Sequence, residues 1–281
     1  MELSSSSLRL RLALVKIEEL KPHEEVVDAV VAHLAEEIHR DGIVRDPLIV
    51  DQDRLIILDG MHRFNSLKRL GCRFAPCCLL DYMSPQVTVG SWFRAFTVED
   101  AGSLARGILS SMKFDFSVKQ MGLAPTPLEP NTIILTKDGA EFSLRYSTST
   151  LAHCQAAVSI EKQMVKSGLK VTYLSESMAV QWLMSERANC VIVLPAFTKE
   201  MIRKFGSEGI LLPHKVTRHI IPSRPMEIGV PLSLLTDRNV SLQEADEKLD
   251  ELLERRKIER RPPGSVIDGR HYDEELIVFS H

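Results

Sequence analysis

The sequence predicts an α/β protein in two parts, and three observations predict it. Two short β-branched runs, Pro47–Val50 and Leu55–Leu58, flank a polar turn and lead into a helical segment. Residues 149–205 then alternate as helix (149–167), strand (170–174), helix (175–187), strand (190–194) and helix (198–205). The chain has 281 residues, 44% hydrophobic and 26% charged, enough to bury one large core or two modest ones.

Leu8 to Ile17 alternates apolar and polar residues over its first half and reads as a strand that Lys21-Pro22-His23 breaks. Helical spacing follows from Glu24 to Arg40 (Val26, Val27, Val30, Val31, Leu34, Ala35, Ile38), with acids in the first turn and Gly42 beyond the end. Asp51-Gln52-Asp53-Arg54 joins the two β-branched strands, and a short helix from about His62 to Leu70 ends at Gly71. Ala75 to Tyr82 reads as an apolar strand, and Val87 to Phe93 as another. Ser117 to Asn131, with three prolines, reads as a long connection. Thr132–Leu135 and Glu141–Tyr146 form a hairpin around Lys137-Asp138-Gly139. Ser241-Leu242-Gln243-Glu244 is a capping-box pattern opening a charged helix to about Arg260, and its Leu242, Ala245, Leu249, Leu252 stripe packs on the body or on a partner. The tail past Arg261-Pro262-Pro263 reads as an appendage, and Ser4 to Ser7 is the single low-complexity tract.

The net charge of −3 argues against a protein that coats nucleic acid, which needs a basic surface. No apolar run approaches the roughly 20 residues of a membrane span, and arginines interrupt Leu8 to Val15, so that stretch is not a signal-peptide core. A cytoplasmic location is expected. The cysteines, Cys72, Cys77, Cys78, Cys154 and Cys190, include no C-x-x-C pair and read as small buried residues.

Three constellations could carry chemistry. Asp59-Gly60-Met61-His62-Arg63 follows a strand and opens a helix, whose N-terminus attracts anions. Gly60 lets the backbone approach a ligand, Arg63 offers a planar fork for phosphate, His62 adds a donor, and Asp59 could orient a metal-bound water or a substrate group. The same residues also suit an ordinary turn with a surface Arg and His. In Lys21-Pro22-His23-Glu24-Glu25, the acids either compensate a helix dipole or supply a carboxylate base beside the phosphate site. Pro213-His214-Lys215-Val216-Thr217-Arg218-His219 is either a solvated basic loop or a wall that grips an anionic ligand. Trp92 and Phe93 are core aromatics by default.

Together these pieces resemble the free L-serine kinases of the ParB/sulfiredoxin-like superfamily, most closely the archaeal ADP-dependent kind. Lys21-Pro22-His23-Glu24 resembles that family's K-P-H-E, and Asp59 to Arg63 its D-G-H-H-R. Ser91-Trp92-Phe93-Arg94-Ala95-Phe96 resembles its T-W-Y-P-A-F, Thr198-Lys199-Glu200 its T-K-E, and Pro213 to Pro222 its P-K-T-T-R-H-V-L-P. Order and spacing agree over about residues 14–235. The resemblance implies phosphoryl transfer from ADP or ATP, with Mg²⁺, to the hydroxyl of L-serine. It implies Glu24 as general base and Asp59 as its catalytic partner. Asp59, Gly60, Met61, His62, Arg63 and Lys215 would hold the nucleotide's phosphates, and Trp92, Thr217, Arg218 and His219 would bind serine. The implied domains are a ParB/sulfiredoxin-like nucleotide domain (1–97), a C-terminal α/β substrate domain (98–235) and a helical extension (236–281), with the active site in the cleft between the first two.

Met61 stands where that family usually has His, which removes one donor near the phosphates. A ParB-type CTP switch would also use a G-x-x-R turn, but it would continue into a helix-turn-helix DNA reader. A sulfiredoxin needs a thiolate where Met61 stands, and a thioether cannot supply one. A non-catalytic regulator would not need both Glu24 and Asp59. The expected partners are serine and a nucleotide, with neither nucleic acid nor membrane, and self-association through the C-terminal helix is an open possibility.

Overall fold

The structure is a computed structural model that describes residues 1–4, 8–120, 131–145, 149–267 and 269–280. The chain forms two compact units, one of residues 1–88, 199–214 and 219–281, the other of residues 89–198 and 215–218. This differs from a sequential division at residues 97 and 235. The chain leaves the first unit at residue 88, returns at 199, and lends only residues 215–218 back to the second.

The first unit is built on a five-stranded sheet in the order Glu2–Ser4, Arg9–Lys16, Phe74–Leu80, Leu48–Asp51, Ile57–Asp59. Leu48–Asp51 and Ile57–Asp59 are an antiparallel pair joined by a tight connection. The Met61–Arg69 helix then carries the chain back across Leu48–Asp51 to Phe74–Leu80, which lies parallel to Leu48–Asp51. All seven residues of Phe74–Leu80 are buried, so the centre of the sheet is covered on both faces.

The Asp28–Asp41 helix packs on Met61–Arg69 and buries Val31, Ala35 and Ile38. It begins four residues later than the apolar spacing suggests. The reason lies in the backbone: Leu212 N–H donates to His23, and Glu25 N–H donates to Leu212, so residues 23–25 are already committed to a neighbouring segment. Gly42 ends the helix in the left-handed conformation (φ 68°), its N–H bonded to Ile38.

The tail is not an appendage. Arg224–Met226, Leu276–Ser280 and Lys257–Arg261 make a three-stranded sheet with Leu276–Ser280 at its centre. Leu276, Ile277, Val278 and Phe279 are all buried. The Leu242–Glu254 helix has its full capping box but stops at Glu254, because residues 257–261 are strand. Its buried stripe is Ala245, Leu249 and Leu253, with Leu252 only partly covered, and it packs on Arg9–Lys16. That contact is fastened by Asp246, which accepts from Leu14 N–H at 2.6 Å, and by Asp250, 2.5 Å from the N-terminal ammonium. The apolar stripe of this helix is therefore spent within the unit.

The second unit holds a six-stranded sheet in the order Thr172–Leu174, Phe93–Phe96, Cys190–Ile192, Thr132–Thr136, Ala140–Leu144, Phe116–Gln120. Its strands alternate with helices, yet every neighbouring pair is antiparallel. Thr172–Leu174 and Cys190–Ile192, linked by the Glu176–Met184 helix, sit on either side of Phe93–Phe96 rather than together, a split βαβ arrangement. The Ala101–Ser111 helix has no counterpart in the sequence reading. Asp100 caps it by accepting from Ser103 N–H at 2.9 Å. Phe116–Gln120, expected in a long connection, is an edge strand instead. The three prolines of that connection, Ser5 to Ser7, and Tyr146 at the hairpin's end lie outside the described residues.

All five cysteines are buried and unbridged. Burial pushes the thiols of Cys78 and Cys190 up to about 12 and that of Cys72 to about 11, so they stay protonated and inert. No described helix is long and apolar enough to cross a membrane.

Candidate active site

In the first unit the predicted residues gather at the end of the Ile57–Asp59 strand. The turn after it has the form the sequence suggests. Gly60 is the N-cap of the Met61–Arg69 helix, at φ 100° and ψ 26°, and no side chain caps that helix. A Cβ at Gly60 would lie 2.7 Å from Leu48 Cδ2, so any other residue would strain the left-handed backbone and push that side chain aside. Asp59 folds one carboxylate oxygen back onto Gly60 N–H at 2.9 Å.

The strand is fastened at three consecutive residues. His23 Nδ1–H donates to the Ile57 carbonyl at 2.6 Å. His219 makes a hydrogen bond to the Leu58 carbonyl. Arg224 Nη1 donates to the second Asp59 oxygen at 2.7 Å. His219 Nε2 accepts from the Tyr82 hydroxyl at 2.8 Å, and the His23 and His219 rings meet edge to face. Because carbonyls only accept, each histidine carries its proton on Nδ1. Burial lowers both imidazoles below their ordinary range, His219 well below, and the neighbouring His23 and Arg224 push His219 in the same direction.

Glu24 follows His23 directly. Its carboxylate lies 3.8 Å from His23 Nε2 and is largely shielded from solvent. His23 feels the charge of both Glu24 and Asp59, so both carboxylates lie near one buried ring.

The remaining residues of the turn divide by role. Met61 is buried, so its side chain faces the core and only its backbone can meet a ligand. His62 Nε2 accepts from Val27 N–H at 3.2 Å, and its ring meets that of His214 edge to face. The Arg63 fork, expected at a phosphate, is engaged with the Pro47 carbonyl at 2.8 Å and with Asp46 at 3.3 Å. Asp46 in turn accepts from Glu227 N–H at 2.9 Å, so Arg63 braces the loop behind the turn.

In the second unit two cations lie against Trp92. Lys215 Nζ is 5.1 Å from the ring centroid and Arg218 Cζ is 5.5 Å from it. Thr217 and Arg218 belong to the Thr217–Ile220 strand, which pairs with Thr88–Ser91. Trp92 is held from below: its carbonyl accepts from Arg94 Nη1 at 2.6 Å, and the fully buried Arg94 pairs with Glu161 at 2.8 Å. Trp92, Lys215 and Arg218 thus form one group. Thr217 and His219, expected with them, alternate with Arg218 along the strand and are both buried, and His219 bonds to the Tyr82 hydroxyl and the Leu58 carbonyl in the first unit.

The sequence reading missed Tyr82, Asp46, Arg224 and Glu274. Arg224 lies two residues past the Pro213–Pro222 motif, and its partners Asp59 and Glu274 are 165 and 50 residues away. Among the described residues no three His, Cys, Asp or Glu side chains gather as a metal cage. Mg²⁺ arriving with a nucleotide needs only one or two carboxylates besides phosphate oxygens, and Glu24 and Asp59 fit that requirement.

No protein-family model matches the chain. It is 28% identical over 237 residues to an ATP-dependent L-serine kinase of Desulfurococcus mucosus, covering 79% of this chain and 90% of that one. It is 26% identical over 227 residues to an ADP-dependent L-serine kinase of Thermococcus kodakarensis, covering 79% and 91%. A solved structure of a free serine kinase mutant in complex with ADP superposes with a TM-score of 0.65 at 23% identity, covering 80% of this chain and 93% of the other. The chain is a homologue of the L-serine kinases and shares the fold of the free serine kinases.

Proposed function

We propose that this chain is a free L-serine kinase. It transfers the terminal phosphoryl group of ADP or ATP to the hydroxyl of L-serine and gives O-phospho-L-serine with AMP or ADP. The observation that carries this reading is the pair of carboxylates, Glu24 and Asp59, that both act on the buried His23 ring, with Asp59 beside a glycine-capped helix N-terminus.

Glu24 takes the proton from the serine hydroxyl as the oxygen attacks the terminal phosphorus. A hydroxyl is a poor nucleophile without a positioned acceptor, and a base of this kind is worth about 10²–10⁴-fold in rate. Asp59 faces the same reacting groups, and Mg²⁺, when bound with the nucleotide, neutralises phosphate charge. The backbone at Gly60, Met61, His62 and Arg63 receives the phosphates, with the helix dipole favouring their charge. The His62 ring and Lys215 add donors. Trp92, Thr217 and Arg218 contact serine, Arg218 binding its carboxylate. His219 acts as a positioning residue for the Asp59 strand rather than as a serine ligand, and the Arg63 side chain as a brace.

Relatives of both donor kinds leave ADP and ATP as the two candidates, of which ADP is taken first. The test is to incubate the protein with L-serine, Mg²⁺ and each nucleotide in turn and to assay O-phosphoserine by mass spectrometry. AMP as the co-product identifies ADP as donor, and ADP as the co-product identifies ATP. Absence of phosphoserine with both nucleotides would refute the reading.

A further inference from the structure

The residues that surround Arg224 come from the last ten of the chain, beyond the part that carries the kinase motifs. Glu274 accepts from Arg224 Nε at 2.8 Å, and both side chains are buried. The Tyr272 ring lies beside the guanidinium, 5.9 Å from centroid to Cζ. Glu275 accepts from Arg224 N–H at 3.0 Å through its carbonyl, and its carboxylate accepts from the Ser223 hydroxyl at 2.6 Å. The Leu276–Ser280 strand runs parallel to Arg224–Met226, with Arg224 opposite Leu276. On its other side, the same guanidinium reaches Asp59 at 2.7 Å and the His219 carbonyl at 3.0 Å.

We propose that the C-terminal segment is a working part of the catalytic site, with Glu274 positioning Asp59 through Arg224. This rests on Asp59 being catalytic, as argued above.

The geometry assigns Glu274 two effects. It fixes the guanidinium plane, because Nε is claimed by one carboxylate while Nη1 is aimed at the other. It also supplies a second negative charge to a buried cation, so that Asp59 does not neutralise Arg224 alone and keeps charge for its own task. Without Glu274 the guanidinium loses its anchor at Nε and can turn about its remaining contacts to Asp59 and the His219 carbonyl, which moves Asp59. Misplacement of a reacting group by about 1 Å costs up to roughly 100-fold in rate.

The experiment is steady-state phosphoserine formation by wild type, Glu274→Gln, Asp59→Asn and the double variant, with a crystal structure of Glu274→Gln. The expected result is a fall in kcat of about 10- to 100-fold for Glu274→Gln, with KM for serine and nucleotide changed less than about threefold. The substitution should add nothing in the Asp59→Asn background, because it acts through Asp59. Its structure should show the Arg224–Asp59 contact lengthened or lost. Glu274→Asp keeps the charge, should lose less kcat than Glu274→Gln, and serves in its place if the Gln variant fails to fold. Wild-type kcat in Glu274→Gln, full additivity with Asp59→Asn, or an unchanged Arg224–Asp59 contact would overturn the proposal. If wild type makes no phosphoserine, the kinase reading fails, and the crystal structure alone then decides whether Glu274 positions Asp59.

Discussion

The Tyr82 hydroxyl donates to Nε2 of His219 at 2.8 Å, across 137 residues of sequence, and fixes a neutral imidazole under the strand that carries Asp59. Tyr82→Phe leaves that nitrogen buried without a donor. The expected cost is about 1–3 kcal/mol of stability, read as a lower midpoint in urea with an unchanged slope. An unchanged midpoint would mean that the bond carries no net energy.

The two buried histidines set a pH dependence of stability. His23 and His219 titrate below 6.5 in the folded chain, chiefly through burial, and Glu24, Asp59 and the backbone carbonyls only partly oppose this. The unfolded chain therefore takes up protons at a pH where the folded chain does not. Their contribution is fully present above 6.5 and is lost as pH falls from there toward the depressed folded values. The melting temperature should drop between pH 7.5 and pH 5.5, and should drop less in His219→Asn. Equal slopes in the two proteins would remove His219 from the explanation.

Gly60→Ala tests the turn itself. The left-handed backbone at φ 100° costs a residue with a Cβ about 1–2 kcal/mol, and the contact with Leu48 adds to that. Nucleotide affinity should fall at least tenfold in calorimetric titration, since the backbone shift moves the first-turn amides. Retained affinity would place the phosphates elsewhere.

Trp92→Ala removes the surface on which Lys215 and Arg218 rest. Each cation–ring contact is worth about 0.5–2 kcal/mol. KM for serine should rise several-fold to tenfold, with KM for the nucleotide changed much less. A rise confined to the nucleotide would reassign this group to the donor.

Much of the local structure was legible in the sequence because local rules decide it. Gly42 and Gly71 end helices, Ser241 and Glu244 form their capping box, and Gly60 opens a helix in a left-handed conformation that favours glycine. What escaped was set at long range. The Leu276–Phe279 run has the composition of a core strand, but nothing local says that it pairs with Arg224–Met226. The Glu24 segment looks helical until Leu212 claims its backbone. The site followed the same division. Glu24, Asp59 and Gly60 lie in motifs that announce themselves, and Trp92, Lys215 and Arg218 meet as a group. Alternation along one strand turns Thr217 and His219 away from Arg218, and Arg224 and Glu274 carry no motif.

The most direct test of the central claim is phosphoserine formation by Glu24→Ala beside wild type, with nucleotide binding measured on the same samples. Removing the base should lower turnover by about 10²–10⁴-fold while nucleotide affinity stays within a few-fold of wild type. Turnover by Glu24→Ala at the wild-type rate would contradict the assignment of Glu24 as the group that takes the serine proton.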